Sequence, residues 1–504
     1  MMSNLFDRLS RNTPNLSARA IENIDGTIYS YGDLFGLSAQ MAHVLVAQGV
    51  KPGDRVAAQV EKSVPALVLY LATVRAGAVY LPLNTAYTLA ELDYFIGDSE
   101  PSLIVCDPTS EKGIQDLAAK VGAKVLTIDP AGQGTLVTAA AQQSKNFETV
   151  SRQGDDLAAI LYTSGTTGRS KGAMLTHDNL HSNAATLVDY WRFTSKDVLI
   201  HALPIYHTHG LFVASNVTFF SGASMIFLPK FDPEKIMELM ARATCLMGVP
   251  TFYVRLLQHP MLNKDSVKNM RLFVSGSAPL LADTHREWST KTGHAILERY
   301  GMTETNMNTS NPYDGDRVPG AVGHPLPGVS VRIADPESGK ILSAEEIGMI
   351  EVKGPNVFKG YWRMPEKTEA EFKPDGFFIT GDLGKIDARG YVHIVGRGKD
   401  LIITGGFNVY PKEIESEIDA MPGVFESAVI GVPHQDFGEG VTAIVVRTKP
   451  DQIDEKAIIQ ALQDRLAKFK QPKKIIFVDD LPRNTMGKVQ KNVLRDQFAN
   501  LYTS

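Results

Sequence analysis

The apolar run Leu157 to Tyr162 opens into Thr163, Ser164, Gly165, Thr166, Thr167, Gly168, Arg169, Ser170 and Lys171. Hydroxyls donate to anionic oxygens, and glycines let backbone N–H groups converge on them. Arg169 and Lys171 add counter-charge, so the segment suits a polyphosphate held at the end of a buried strand. It is not the ordinary P-loop, because no Gly-Lys-Ser/Thr closes it at the right spacing. Taken alone, it would serve equally as a polar surface loop.

Four more segments follow in fixed order. They are Arg299-Tyr300-Gly301-Met302-Thr303-Glu304, Thr380-Gly381-Asp382, Gly396-Arg397-Gly398-Lys399-Asp400 and Pro482-Arg483-Asn484-Thr485-Met486-Gly487-Lys488. In this order and spacing the five resemble the core motifs of the adenylate-forming superfamily: acyl-CoA synthetases, luciferases and peptide-synthetase adenylation domains. The resemblance runs over essentially the whole chain. It implies a reaction in two halves, in which a carboxylate attacks the α-phosphorus of ATP and a thiol then attacks the acyl-adenylate. Such chemistry is largely positioning plus neutralisation of developing charge.

The resemblance assigns roles residue by residue. Thr163, Ser164, Gly165, Thr166, Thr167, Gly168 and Lys171 would hold the β- and γ-phosphates. Glu304, with Thr303 before it, would help hold Mg²⁺, a hard cation that takes carboxylate and phosphate oxygens together. Asp382 would accept from the ribose diol and Arg397 would donate to sugar or phosphate. Ser277, in Gly276-Ser277-Ala278, and Glu298, Arg299, Tyr300 and Gly301 resemble segments that enclose adenine. Lys488 would be the catalytic cation, carried in by a mobile domain to bridge the carboxylate and the α-phosphate. Loss of its charge by acetylation would switch the enzyme off, which makes a protein acetyltransferase and deacetylase expected partners. Lys399 is the expected hinge, and Gly405 and Gly406 resemble a loop that accompanies CoA entry.

Within the superfamily the chain looks closest to malonyl-CoA synthetases, on Ala202 to Leu211, Arg299 to Met307, Asn311 to Gly315 and Pro319 to Gly328. Malonate carries a second carboxylate, which cannot be buried without a counter-ion. Arg286, in the helix predicted after Pro279, is the expected partner, since a planar guanidinium binds a carboxylate through two parallel bonds. Ser277 and His207 would support it, and Thr208 and Met307 would limit space around C2. Arg286 could also be a solvated helix residue, because Leu281, His285 and Trp288 form the apolar stripe. The expected substrates are therefore malonate, ATP and CoA. A short-chain monocarboxylate–CoA ligase, a stand-alone adenylation enzyme serving a carrier protein, and a nucleotide-binding regulatory protein are the alternatives.

Three patterns are set aside. His177-Asp178-Asn179-Leu180-His181 imitates a zinc-protease helix, but Asp stands where the general-base Glu belongs. Gly438-Glu439-Gly440 fits a loose dinucleotide pattern without a preceding strand. His207-Thr208-His209 lacks nearby ligands for a metal and reads as lining for the acyl and pantetheine channel.

Strand-like runs at Arg55–Val60, Ala78–Leu83, Leu103–Cys106, Val125–Ile128, Leu157–Tyr162, Leu199–Leu203, Ala223–Leu228, Leu272–Val274 and Ile350–Lys353 alternate with several helix-length segments. That alternation predicts α/β layering with largely parallel sheets. After residue 397 the pattern changes to short strands, Ser427–Val432, Thr442–Arg447 and Lys474–Val478, around a helix holding Ile458, Leu462 and Leu466. The fold class expected is α/β: a large N-terminal domain of layered sheets and helices, residues 1–397, plus a small mobile α+β domain, residues 398–504. A chain of 504 residues is too long for one core. Its net charge of −5 disfavours nucleic acid and anionic membrane as partners. Cys106 and Cys245 sit in apolar runs and read as buried thiols of a reducing compartment. No signal peptide or membrane span is evident in the sequence, so the expected location is the cytoplasm. The chain leaves no room for a fused carrier domain after Lys488, which favours free CoA as the acceptor.

Overall fold

The computed structural model describes residues 3–13, 15–163, 170–405, 407–449, 452–463, 465–484 and 487–502. Of the predicted phosphate loop, Ser164, Gly165, Thr166, Thr167, Gly168 and Arg169 lie outside the described residues, as does Gly406.

Two sheets form the body. In one, strands run in the order Lys124–Thr127, Leu103–Cys106, Arg55–Gln59, Val79–Pro82, Leu157–Thr163 and Lys171–Thr176. The first five are parallel, and the last folds back antiparallel on Leu157–Thr163, so the predicted phosphate loop joins a hairpin at its edge. The second sheet has nine strands, with Leu297–Met302, Leu272–Ser275, Cys245–Gly248, Val198–His201, Ser224–Phe227 and Arg19–Asn23 parallel in its middle. Leu103–Cys106, Cys245–Gly248 and Leu272–Ser275 are buried along their whole length, which is why the sequence reads there as near-continuous apolar runs. Helix starts follow local chemistry: Ser30 caps Tyr31–Ala47 in a reciprocal capping box with Asp33, and Pro65 sits in the first turn of Val64–Arg75.

A four-stranded antiparallel sheet, Ser330–Ala334, Gly348–Lys353, Phe378–Ile386 and Val392–Arg397, follows. Only its second strand was expected. Thr380-Gly381-Asp382 and Gly396-Arg397 are thus strand residues, with Asp382 and Arg397 directly paired across the ladder. Beyond them, Ile402–Thr404, Phe407–Val409, Val424–His434, Gly438–Arg447 and Lys474–Val478 make a five-stranded sheet. Helices Pro411–Asp419 and Glu455–Gln463 pack on it around Ile402, Ile414, Ile418, Val429, Val445, Ile458 and Leu462, a core cluster distinct from that of the body.

Candidate active site

Strand Leu297–Met302 supplies the centre of the site, because alternation sends its side chains to opposite faces. Tyr300 donates its hydroxyl to Asp382 Oδ2 at 2.5 Å, and Arg397 Nε lies 2.9 Å from Asp382 Oδ1. Asp382 chiefly, with Tyr300 and Glu304, raises the Arg397 guanidinium above its ordinary range. Glu298 is buried and accepts the Gly320 N–H, and burial pushes its carboxyl up to about 8. Arg299, on the other face, is 3% exposed, and its Nε and Nη2 have no partner among the described residues. Burial pulls its guanidinium down to about 9, so it stays cationic at neutral pH. Gly276 makes room for it: a Cβ there would fall 2.3 Å from Arg299 Cζ.

Around Arg299 stand residues from a π-helical segment, His209–Ser215, and from the turn after Leu272–Ser275. Ser277 adopts a left-handed backbone, φ 71°, which a non-glycine residue takes at a cost of about 1 kcal/mol or more. That turn sets Ser277 Oγ 3.3 Å from His209 Nδ1. His209 donates its backbone N–H to His207 Nδ1 at 3.3 Å, which leaves the proton of the neutral ring on Nε2. Burial, then the cations Lys488 and Arg299, hold His207 down to about 3. Burial and Arg299 likewise keep His209 neutral. Thr208 is buried with its hydroxyl unpartnered, and Met307 is buried on the strand beside Gly301. The structure therefore brings Ser277, His207, Thr208 and Arg299 together, with Met307 close by.

Lys488 projects among these groups from the small domain. Its ammonium is pulled below the ordinary lysine range by dense surroundings and Arg397, while Asp382 and Glu304 hold it up. Protein surrounds it on most sides, yet the residue keeps solvent access, as a side chain reaching into an open cleft does. Its turn is fixed at both ends. Asn484 Oδ1 accepts the Lys488 N–H at 3.0 Å, Arg483 donates to Gly487 O and pairs with Glu426, and Lys491 pairs with Glu415 at 2.5 Å.

Glu304 is 5% exposed in the turn after Leu297–Met302, with Thr303 half-buried beside it. Burial raises its carboxyl, and Tyr361 Oη approaches its Oε1 at 3.0 Å and Glu371 Oε2 at 2.7 Å. A buried carboxylate whose charged form burial disfavours fits a Mg²⁺ that would take its remaining ligands from phosphates and water.

One expectation is corrected. Arg286 is not in the site. Helix Ala282–Thr292 buries His285, Trp288 and Thr292, a turn-by-turn stripe that leaves Arg286 on the outer face. Its side chain is 65% exposed and pairs with Asp283 at 2.7 Å. Lys171 pairs with Glu371 at 3.2 Å, its ammonium over the Tyr361 ring. Thr163 is half-buried, with Oγ1 toward Lys171 O. Lys399 lies in the short turn Gly398–Asp400, where Arg495 pairs with Asp400 at 2.8 Å. Gly405 is exposed at a hairpin tip and donates its N–H to Phe437 O within the small domain. Tyr361 and Glu371 were not foreseen. For Tyr361 the signal available was the aromatic pair in Gly360-Tyr361-Trp362, a buried segment that bridges to the phosphate hairpin.

Residues 6–362 match the family model of AMP-binding enzymes, and residues 413–488 match that of the AMP-binding enzyme C-terminal domain. The chain belongs to the AMP-binding enzyme family. A malonate–CoA ligase of Arabidopsis thaliana is 34% identical, over 98% of this chain and 88% of its own length. ATP-bound MatB from Rhodopseudomonas palustris is 73% identical and covers all of both chains at a TM-score of 0.98. Apo MatB from the same organism, equally identical and complete, gives 0.87. This family member therefore has the backbone arrangement of the ATP-bound form more closely than that of the apo form. Among its described residues no helix is long and apolar enough to cross a membrane.

Proposed function

We propose that this chain ligates malonate to CoA in two steps at one site. A malonate carboxylate oxygen attacks the α-phosphorus of ATP; the new P–O bond forms as the bond to pyrophosphate breaks. The CoA thiol, giving up its proton, then attacks the acyl carbon, and AMP leaves. What carries the reading is Arg299, a buried guanidinium with two unpartnered nitrogens beside His207, His209 and Ser277. An unpaired buried cation is costly, and a bound anion relieves the cost. A monocarboxylate would give one charge to the reacting end and leave Arg299 unmatched, so malonate fits better than acetate or propionate. Malonate–CoA ligases among the relatives and the likeness to ATP-bound MatB support the same choice.

In this reading Arg299 takes the second carboxylate, Ser277 and His207 donate to it, and Thr208 and Met307 limit branching at C2, with small 2-substituted malonates as secondary substrates. Lys488 bridges the reacting carboxylate and the α-phosphate. Tyr300, Asp382 and Arg397 hold the nucleoside, and the phosphate loop with Glu304 holds the triphosphate. Mg²⁺, when bound at Glu304, neutralises phosphate charge. The boundary between the domains falls after Arg397, with Lys399 as the pivot and the Gly405–Gly406 loop serving the thiol once the small domain turns. Acetylation of Lys488 by a protein acetyltransferase, reversed by a deacetylase, regulates the first step. Two buried free thiols accord with a cytoplasmic setting.

The test measures kcat/KM for malonate and propionate on Arg299→Met and Arg286→Ala. Deleting one member of a buried charge pair costs about 3–5 kcal/mol, or roughly 10²–10³-fold. Arg299→Met should lose malonate by that factor and keep propionate, while Arg286→Ala should change neither. Equal losses for both acids on Arg299→Met would sink the assignment.

A further inference from the structure

Asn183 has no part in the chemistry above, yet it is buried and closely engaged. It lies in helix His177–Tyr190, which starts directly after strand Lys171–Thr176 and is capped by Thr176. Its Nδ2 donates to Met307 O at 2.9 Å, and its Oδ1 accepts the Met307 N–H at 3.3 Å. One side-chain amide thus pairs with both backbone polar groups of a single residue, as a neighbouring strand would. Met307 O also receives Asn356 Nδ2 at 3.2 Å, and Asn356 reaches Thr305 O and Asn308 Oδ1 as well. The strand bearing Met307 therefore rests on buried amides, where an apolar floor is the usual choice.

The Met307 side chain leaves this clamp toward Gly301. Met307 is the ladder partner of Gly301, and a Cβ at Gly301 would meet Met307 Cε at 2.7 Å. The thioether therefore lies flush on the backbone two residues from Arg299. Methionine has three soft torsions and fills whatever space it is given, so its reach is set by where its backbone is held. Packing alone does not call for an asparagine here, since leucine has similar volume without the desolvation of an amide.

We propose that Asn183 is a positioning residue for substrate choice. By fixing the Met307 backbone, it sets how far the Met307 side chain intrudes beside C2 of the acid, and so favours malonate over 2-substituted malonates. The proposal rests on the reading that the acid lies between Arg299 and Met307.

The experiment compares kcat/KM for malonate and methylmalonate in the wild type, Asn183→Ala, Asn183→Asp, Met307→Ala and the Asn183→Ala/Met307→Ala double variant, with KM for ATP and unfolding midpoints alongside. Asn183→Asp keeps the shape and the acceptor for the Met307 N–H but loses the donor, and it carries the test if the alanine variant does not fold. Asn183→Ala should shift the malonate-to-methylmalonate ratio roughly tenfold toward methylmalonate, with KM for ATP changed less than about twofold. In the Met307→Ala background the same change should move the ratio by less than about twofold, because coupled residues are not additive. A parallel loss of both acids, or an equal shift with and without Met307, would show that Asn183 only supports the fold and would overturn the proposal. If Met307→Ala moves the ratio but neither Asn183 variant does, the proposal alone falls. If Met307→Ala leaves the ratio unchanged, the pocket reading falls with it.

Discussion

Asp382 and Arg397 are cross-strand partners, and Arg397 Nε donates to Asp382 Oδ1 at 2.9 Å while Tyr300 occupies Oδ2. The ladder fixes both backbones, so the carboxylate is held before any nucleotide arrives. Each carboxylate oxygen has a second lone pair left for a ribose hydroxyl. Asp382→Asn keeps the shape but removes the charge and turns two acceptors into one. KM for ATP should rise about tenfold or more while KM for malonate stays close to wild type. Steady-state titration of each substrate checks this, and an equal rise in both would place Asp382 outside the nucleoside site.

Lys488→Ala should stop adenylate formation and spare the second step. The ammonium feels Asp382, Glu304 and Arg299, and in the proposed reaction charge develops beside it on the α-phosphate, so removing it should cost on the order of 10²-fold or more. Pyrophosphate release should fall by that factor, while supplied malonyl-adenylate should still react with CoA. The lowered pKa adds a pH signature. The cation is the active form, so the first step should fade at high pH, through a pKa below that of a free lysine, and the second step should not share that limb. Loss of both steps together in Lys488→Ala would count against the assignment.

The five motifs, the parallel body and the small α+β unit were legible because unbroken apolar runs and glycine-bounded loops follow from two-sided burial and phosphate geometry. The sheet carrying Asp382 and Arg397 was not. Phe378–Ile386 holds two glycines and an aspartate, and only its antiparallel partners make it a strand. Arg286 and Arg299 show a second limit. On sequence, Arg286 stands in the helix after Gly276-Ser277, and Arg299 in a segment that resembles one enclosing adenine. The difference lies in helix phase, which turns Arg286 outward, and in the strand, which buries Arg299 against Gly276. Lys171 carries the same lesson, since its partner Glu371 is far away in sequence.

Tyr361 has one hydroxyl proton and two carboxylates, Glu304 and Glu371, within reach. Glu371 is already neutralised by Lys171 and Lys367, at 3.2 and 2.7 Å. Glu304 has its side-chain hydrogen bond from Tyr361, with the cations Lys171 and Arg397 acting on it from further away. Tyr361→Phe should leave Glu304 less well held, so the Mg²⁺ concentration giving half-maximal pyrophosphate release should shift by a few-fold, roughly the worth of one charged hydrogen bond. KM for malonate should not follow. An unchanged Mg²⁺ dependence would mean that Glu304 is oriented from elsewhere.

Glu298 gives a stability test with a definite sign. Burial raises its carboxyl in the native chain to about 8, against an ordinary value of 4.5. Between those values the native state binds the extra proton, so stability declines as pH rises through that window and levels off above it. A shift of this size corresponds to a few kcal/mol at most. Glu298→Gln keeps the acceptor for the Gly320 N–H and removes the titration. Its Tm should fall less than that of the wild type between pH 6 and pH 9, choices made to bracket a pKa of about 8. Parallel melting curves for the two proteins would show that Glu298 is ionised at neutral pH.

Arg299 should be destabilising in the free enzyme. Its Nε and Nη2 lack partners among the described residues, and its guanidinium is packed against Gly276 with two neutral histidines nearby. Replacing buried charge by an apolar side chain of similar length is often neutral or stabilising, by about 1–4 kcal/mol. Arg299→Met should therefore melt no lower than the wild type in buffer while losing malonate activity. Malonate should reverse the order: a ligand that binds only the native state stabilises it by RT ln(1 + [L]/Kd), and the variant has lost that binding. Melting both proteins with and without saturating malonate reads out both effects. A variant that melts well below the wild type in buffer would mean that Arg299 supports the fold through contacts of its own, and the low activity could then not be assigned to a missing anion partner.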